Sequence, residues 1–281
     1  MSTESTSLTR IAPGDVLRPY RRLLRLHGQT SPPSLAIPVL RPVVGSSVAD
    51  VGCGAGLYGF LLRSAWHFTG GWASGVASPE RIVGVDFSPV ALERARRHGS
   101  YDELLLAGSD RLPLADRSVD TVLSVESLEH LFPDEVALAL SELKRVARRR
   151  VVIATPTPVR VVNEPWLGGE IAAAERDLVP IERDEFLVLA ACVHKSALYP
   201  RQLEAAGFRY VRDSAGRPIL HEESHVYWAE RDDLDVDRLR EVVGVSVQGY
   251  SEQPKRSWKE EYLALLKSSR DMKNRIVHSF T

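Results

Sequence analysis

A short apolar strand runs directly into a turn that has glycine at every second position. Residues 48–51 belong to this strand, and the turn carries Gly52, Gly54 and Gly56. Glycine allows the backbone to turn sharply, and it lets a ligand approach peptide groups that a β-carbon would cover. The pattern is typical of a nucleotide-binding turn, and Gly59 completes a spacing that dinucleotide-binding proteins also show. The turn alone therefore leaves the kind of nucleotide open.

The glycine turn belongs to a regular alternation of apolar strands and amphipathic helices, which predicts parallel βαβ units. The segments 119–125 and 151–154 are apolar on both faces, as is usual in a parallel sheet that helices cover on both sides. Strands are predicted over 47–52, 81–87, 102–110, 119–127, 150–157, 208–215 and 224–231. Helices are predicted over 56–66, 88–99, 133–149 and 199–207.

Changes in composition along the chain predict three parts. Residues 1–45 are expected to form an N-terminal helical arm or lid, and residues 46–230 the main domain. Within that domain, residues 160–198 are expected to form an insertion that builds an acceptor pocket. Residues 231–281 are expected to be a helical C-terminal extension. The arm and the extension can cover the site of one chain or contact a second chain, so a monomer and a homodimer both stay open.

Charge and composition limit the expected partners. The 36 basic and 37 acidic residues leave a net charge of −1, so no overall field attracts nucleic acid or an anionic membrane. The longest apolar runs are far shorter than the roughly 20 residues that cross a bilayer, and no membrane span is expected. Cys53 and Cys192 form neither a disulfide framework nor a zinc motif. A cytoplasmic protein is therefore expected, and nucleic acid is not an expected partner.

Two further segments bear on the nucleotide. Asp86 closes the second predicted strand, where its carboxylate can accept hydrogen bonds from both hydroxyls of a ribose. Its distance from the glycines exceeds the usual ~20 residues, and a loop insertion over 67–80 accounts for the excess. Proteins that bind dinucleotides and proteins that bind other nucleoside cofactors both use such an acid, so Asp86 does not distinguish them. The segment 108–113, Gly-Ser-Asp-Arg-Leu-Pro, followed by the strand 119–125, separates them.

The ordered motifs GCGAG, VDFSP, GSDRLPLADRSVDTVLS, LEHL and VVIATP resemble those of class I S-adenosylmethionine-dependent methyltransferases, in particular the group that acts on small molecules. The resemblance is strong over about 47–157 and weak over 194–230. It implies an α/β fold with a Rossmann-like seven-stranded sheet, a reversed C-terminal hairpin and helices on both faces. It also implies S-adenosyl-L-methionine as the cofactor and a small-molecule acceptor.

The resemblance assigns a set of cofactor-binding residues. In the family, the glycines of the turn surround the methionine part, and the acid at Asp86 holds the ribose. The acid at Asp110 accepts a hydrogen bond from the adenine amino group, and Phe87 and Arg111 are expected to flank the adenine. The complete implied set is Asp50, Gly52, Cys53, Gly54, Gly56, Asp86, Phe87, Ser109, Asp110, Arg111 and Ser124.

Candidates for the chemistry follow the fourth predicted strand. The cofactor already supplies an activated leaving group, so the protein needs to position the acceptor and remove a proton where the acceptor is a hydroxyl or an ammonium. Glu129 and His130 follow Glu126 at three and four residues, so a helical turn would bring all three to one side. His194 lies just before the helix predicted over 199–207.

Three interpretations of these residues stay open. In the first, His130 or His194 is a general base, because the pKa of histidine lies near neutral pH, with Glu126 beside it. In the second, Glu126, Glu129, His130 and His194 bind Mg²⁺ or a similar ion. That set resembles the metal site of small-RNA 2′-O-methyltransferases and of ubiquinone-pathway O-methyltransferases. In the third, His130 only orders a loop, as LEHL does in family members without a metal.

The sequence predicts a methyltransferase that acts on a small-molecule metabolite or natural product, at a hydroxyl. The choice of oxygen rests on the Glu/His set. It rests also on the residues 124–127, Ser-Val-Glu-Ser, which replace the Asn-Pro-Pro-aromatic sequence of related N-methyltransferases. N-methylation of an amine or aminosugar, an RNA 2′-O-methyltransferase, and a non-catalytic cofactor-binding protein are the alternatives. A nicotinamide-dependent oxidoreductase would leave residues 108–113 unexplained.

Overall fold

The computed structural model describes residues 35–69, 79–97, 99–158, 161, 194–221, 224–239 and 243–244. The predictions for the first 34 residues, for most of the insertion at 160–198 and for most of the C-terminal extension lie outside the described residues. So does Cys192. The division of the chain into three parts stays a prediction.

Helices and strands alternate over most of the described chain. The helices are α1 (Ala36–Leu40), α2 (Leu57–Thr69), α3 (Pro89–Arg96), α4 (Pro133–Val146) and α5 (Pro200–Ala205). The strands are β1 (Ser47–Val51), β2 (Arg81–Asp86), β3 (Glu103–Leu106), β4 (Val119–Val125), β5 (Ala147–Pro156), β6 (Ser196–Ala197), β7 (Arg209–Tyr210), β8 (Ser224–Glu230) and β9 (Val243–Gly244). Among the described helices, none combines the length and apolar character needed to cross a membrane.

Seven strands form one sheet in the order β3-β2-β1-β4-β5-β8-β7. The strands β1 to β5 pair in parallel, whereas β8 pairs antiparallel with both β5 and β7. The predicted seven-stranded sheet with a reversed C-terminal hairpin is confirmed. The order reverses between β1 and β4, and ligands of open α/β sheets bind outside the carboxyl ends of the strands at such a switch point. The glycine turn after β1 lies there.

Apolar side chains cover both faces of the sheet. Val39 of α1 and Leu62 of α2 are completely buried against one face, together with Val48 of β1. Leu140 of α4 and Leu203 of α5 are completely buried against the other. Each such side chain contributes about 1.5–3 kcal/mol through the apolar surface that it removes from water. The predicted arrangement of helices on both faces is confirmed.

The helix predicted over 133–149 ends earlier, at Val146. Ala147 already pairs with β4, and the arginines that follow belong to β5. Arg150 is accommodated in a strand because its charged group finds partners at the sheet surface. Its Nη1 donates to the carbonyl of Pro42 at 2.9 Å, and the guanidinium pairs with Glu230 and lies 4.3 Å above the ring of Trp228. The helix end predicted at residue 149 is therefore three residues too late.

The chain that leads into β1 is tied to the sheet. Thr121 of β4 accepts a hydrogen bond from the backbone N–H of Val44 at 3.0 Å and donates one to the carbonyl of the same residue at 2.7 Å. Leu35 and Val43 are buried in the same core cluster as β1. The last residues of the predicted arm, 35–45, are therefore packed onto the domain.

Candidate active site

The glycine turn after β1 opens toward the switch point of the sheet. Gly52, Gly54 and Gly56 have φ angles of 75°, 53° and 92°, a region that favours glycine. A β-carbon on Gly52 would lie 2.2 Å from Oγ of Ser127, whereas one on Gly54 would meet no heavy atom within 4 Å. The turn is thus packed at its base and open at Gly54, where a ligand can approach the backbone.

Asp86, the last residue of β2, is bound to this turn. Its Oδ2 accepts a hydrogen bond from the backbone N–H of Gly54 at 2.8 Å, and its Oδ1 accepts one from that of Ser88 at 2.8 Å. The residue is 7% exposed. A carboxylate offers two acceptor oxygens, each of which can accept more than one hydrogen bond. Two adjacent hydroxyls of a ribose are suitable donors.

A loop carrying Asp110 follows β3 and is fastened to α4. Glu142 accepts a hydrogen bond from the backbone N–H of Leu112 at 2.7 Å. Arg145 donates to the carbonyls of Leu112 and Leu114 at 3.0 Å and 2.8 Å, and it pairs with Glu142 one turn earlier on the helix. The hydrogen bond from Arg145 lowers the pKa of the Glu142 carboxyl, which stays ionised. The loop therefore has a fixed path beside the sheet.

Glu126 directly follows β4 in a left-handed backbone conformation, with φ of 49°. A side chain other than glycine adopts this conformation at a cost of about 1–3 kcal/mol, and such residues concentrate at functional sites. The backbone N–H still donates to the carbonyl of Ala154 at 2.9 Å. Oε2 of Glu126 accepts a hydrogen bond from the hydroxyl of Ser224 at 3.1 Å, and Ser224 begins β8. The conformation thus directs this carboxylate toward β8.

Glu129, His130 and His194 come together after β4. One possible ligand atom from each lies within 4.8 Å of those of the other two, and the two imidazole rings are 5.1 Å apart at their centroids. Nε2 of His130 lies 3.8 Å from Oε1 of Glu129. Glu129 and His194 are buried, whereas the His130 side chain keeps 23% of its surface exposed. Of these three side chains, His130 is the one that a substrate can reach.

Three hydrogen bonds hold His194 in this group although it is far away in sequence. The backbone N–H of Lys195 donates to the carbonyl of Glu129 at 2.7 Å, and Nζ of Lys195 donates to the carbonyl of His130 at 2.7 Å. The hydroxyl of Ser196 donates to the carbonyl of Leu131 at 2.7 Å. The segment after residue 193 is therefore fastened to the short 3₁₀-helix Leu128–His130.

Residues 49–155 match the family described as "Methyltransferase domain". The match begins in β1 and ends in β5, so it contains the glycine turn, Asp86 and the Asp110 loop. Over these residues, the chain is similar to the class I S-adenosylmethionine-dependent methyltransferases. In this methyltransferase domain, the residues that the sequence assigned to the cofactor lie near the carboxyl ends of β1, β2 and β4 and in the loop after β3.

Several proteins resemble the methyltransferase domain in sequence or structure. A probable S-adenosylmethionine-dependent methyltransferase of Mycolicibacterium smegmatis is 32% identical over 129 residues, 43% of this chain and 41% of that protein. A malonyl-[acyl-carrier protein] O-methyltransferase of Yersinia pestis is 31% identical over 113 residues, 40% of this chain and 37% of that protein. A solved structure from Thermotoga maritima, described as a possible histamine N-methyltransferase, is 18% identical, with a TM-score of 0.45 over 77% of this chain and 96% of that chain. The chain spans about two fifths of the length of the curated relatives it matches.

The structure places the remaining predicted cofactor residues in different surroundings. Asp50 and Cys53 are buried beside the turn, and burial raises the pKa of the Cys53 thiol well above its usual value. Cys53 therefore stays a protonated thiol. Ser124 is completely buried within β4, and its Oγ has no hydrogen-bond partner among the described residues. Phe87 and Ser109 are half-buried, and Arg111 is exposed. Their contacts with a cofactor stay predictions.

One of the four residues that the sequence predicted as metal ligands lies apart from the other three. The structure brings together Glu129, His130 and His194, three of the four predicted ligands. Glu126 lies outside this group of three, because its left-handed backbone prevents the continuous helical turn on which the spacing argument depended. Sequence reasoning also missed Glu142 and Arg145, whose spacing of three on a predicted helix is the signal that indicates an ion pair.

Replacement of Arg145 by methionine should loosen the Asp110 loop. The change removes charged hydrogen bonds to two loop carbonyls, and we expect it to lower the free energy of unfolding by about 2 kcal/mol. Urea unfolding measures this loss. Arg148→Met is the matched control. The Arg148 side chain is half-exposed, and its Nη1 lies 3.5 Å from Oδ1 of Asp120, so its ion pair is weaker and more open to solvent. Equal effects of the two changes would contradict a specific role of Arg145.

Proposed function

We propose that the chain binds S-adenosyl-L-methionine at the glycine turn and transfers its methyl group to a small-molecule acceptor. The observation that carries the proposal is the junction of the turn with Asp86: Gly54 is open to a ligand, and the carboxylate that accepts from its backbone N–H lies beside it as the proposed acceptor for the ribose hydroxyls. The family match over 49–155 supports the cofactor. Glu129 and His130 follow β4, which is adjacent to β1 in the sheet, and His194 lies beside them, so the three would supply reactive groups at the same edge.

The proposed acceptor atom is an oxygen. A hydroxyl oxygen needs a group that accepts its proton, and the partly exposed imidazole of His130 can accept it. The buried carboxylate of Glu129 next to it would stabilise the imidazolium that forms. O-methylation is also the activity in the name of the Yersinia pestis relative, over the 40% of this chain that it matches. A metabolite or natural product in the cytoplasm is the proposed acceptor.

The group of Glu129, His130 and His194 also fits a divalent cation. Two imidazoles and one carboxylate are a donor set for Zn²⁺, Mn²⁺ or Fe²⁺, whereas Mg²⁺ prefers oxygen ligands and keeps several waters. We therefore propose an ion of the first transition series instead of Mg²⁺. When bound, such an ion would replace His130 as the activating group, because it would polarise an acceptor oxygen and lower the pKa of its hydroxyl.

Calorimetry followed by an acceptor screen tests the proposed function. The purified full chain is titrated with S-adenosylhomocysteine, and it is then incubated with methyl-labelled S-adenosylmethionine and sets of hydroxylated, carboxylated and amine compounds. We expect binding in the micromolar range and label transfer to an oxygen. Transfer to an amine would replace oxygen by nitrogen as the acceptor atom, transfer to RNA would favour a 2′-O-methyltransferase, and binding without any transfer would indicate a non-catalytic protein. Absence of binding would refute the proposal.

A further inference from the structure

A buried polar contact lies beneath the glycine turn. Asp50, in β1, is 1% exposed, and its Oδ2 accepts a hydrogen bond from the hydroxyl of Tyr101 at 2.6 Å. The same hydroxyl accepts a hydrogen bond from the backbone N–H of Gly59 at 3.1 Å. Asp50 precedes the turn, and Gly59 lies in the first turn of α2 after it. The hydroxyl of Tyr101 thus joins both ends of the glycine turn.

The ring of Tyr101 fills the space between α2 and β2. A β-carbon on Gly59 would lie 2.2 Å from Cζ of this ring, and one on Gly84 would lie 2.9 Å from Cδ1. Both positions therefore accommodate the tyrosine because they are glycines. The N–H of Gly59 is among the first N–H groups of α2, which have no partner within a helix. Tyr101 supplies that partner.

We propose that Tyr101 is a positioning residue of the cofactor site. Its hydroxyl ties Asp50 to the start of α2 and thereby holds the glycine turn in the open form that receives S-adenosylmethionine. Its ring fixes the distance between α2 and β2, the strand that carries Asp86. The inference rests on the proposed function, because it concerns how the same site binds its cofactor. It adds a residue that lies outside the glycine turn and touches the ends of that turn on both sides.

The charge of Asp50 predicts how cofactor binding should depend on pH. Burial raises the pKa of Asp50, the hydrogen bond from Tyr101 lowers it, and the carboxylate of Asp86 raises it; together these effects bring it to about 7. The other titratable groups near Asp50 are the thiol of Cys53 and the hydroxyl of Tyr101, whose pKa values are both raised well above normal, so neither is charged. Arg63, whose Nε donates to the carbonyl of Ser100 beside Tyr101, forms an ion pair with Asp102.

The sign of the pH dependence follows from the charges of the cofactor. S-adenosylmethionine carries a sulfonium and an ammonium group, which an ionised Asp50 attracts. Binding should therefore be stronger above the pKa of Asp50 and weaken as the pH falls through it. Loss of the Tyr101 hydroxyl removes the hydrogen bond that lowers this pKa. The midpoint of the pH dependence should then move to higher pH.

The test compares two tyrosine-to-phenylalanine variants of the full chain. Tyr101→Phe keeps the ring and removes the hydroxyl, and Tyr227→Phe removes a buried hydroxyl that contacts Tyr210 in the β7–β8 hairpin. The Kd for S-adenosylmethionine is measured by calorimetry from about pH 6 to about pH 9, a range that spans the Asp50 transition. We expect Tyr101→Phe to weaken binding about tenfold and to raise the midpoint, with Tyr227→Phe like wild type.

A third variant separates charge from positioning. Asp50→Asn leaves an oxygen that can accept from Tyr101, and we expect it to abolish the weakening of binding below about pH 7 even if Tyr101→Phe fails to fold. Unchanged affinity and midpoint in Tyr101→Phe, an equal loss in Tyr227→Phe, or an unaltered pH profile in Asp50→Asn would each overturn the inference. If wild type binds S-adenosylmethionine in these cases, the proposed function stands. If wild type binds neither the cofactor nor its product, the proposed function itself fails and this role fails with it.

Discussion

Replacement of Asp86 by asparagine should weaken binding of S-adenosylmethionine by at least about 100-fold. The carboxylate accepts hydrogen bonds from the N–H groups of Gly54 and Ser88, and asparagine must turn its own NH₂ group toward one of these donors. The variant also loses the negatively charged carboxylate, whose oxygens would accept hydrogen bonds from two ribose hydroxyls. Two charged hydrogen bonds are worth about 3–6 kcal/mol together, which corresponds to a loss of 100-fold or more. Calorimetric titration with cofactor measures this loss.

Ser88→Ala is the matched control for Asp86. It keeps the backbone N–H that donates to Asp86, and it removes only the hydroxyl that accepts from the N–H of Ala91 at the start of α3. Loss of such a cap costs about 1 kcal/mol of stability, and we expect cofactor affinity close to that of wild type. An Asp86→Asn variant that binds as tightly as Ser88→Ala would show that the ribose is held elsewhere.

The sheet could be predicted because its signals are local. The segment 151–154 is apolar on both faces, which the structure explains by burial between the two helical layers. The φ angles of Gly52, Gly54 and Gly56 explain why the turn carries glycine at these positions. Gly59, which suggested a dinucleotide pattern, is explained by the ring of Tyr101. Each of these features depends on the backbone or on immediate packing, so a short stretch of sequence contains the information.

The candidate site could be predicted only in part because its contacts are distant in sequence. Lys195 and Ser196 bind carbonyls of the 3₁₀-helix and the residue after it, 65 positions earlier, and no local pattern signals such hydrogen bonds. The left-handed backbone of Glu126 depends on its position between β4 and the hydroxyl of Ser224. A helical spacing rule assumes regular φ angles, and one residue that departs from them redirects a side chain.

Loss of either histidine of the group after β4 should remove divalent-ion binding. We expect His130→Gln and His194→Gln to lower the affinity for Mn²⁺ or Zn²⁺ by more than about 10–100-fold, the loss that follows when a partner outside the coordination sphere is removed. Chelator-treated protein titrated with each metal chloride measures this change, and it needs no known acceptor. Mg²⁺ should bind more weakly than either ion, because two of the three ligand atoms are imidazole nitrogens.

Glu126→Gln distinguishes the three-residue group from the four-residue set that the sequence predicted. Glu126 faces Ser224 and lies outside the group, so ion affinity should not change in this variant. A loss equal to that of His194→Gln would instead support four ligands.

If wild type binds no ion, the two histidines still differ in a way that the methyl-transfer rate can detect. His130 keeps 23% of its side chain exposed, and as a general base its loss should slow transfer about 10²–10⁴-fold. His194 is completely buried, so its replacement should act on the rate only through the position of His130.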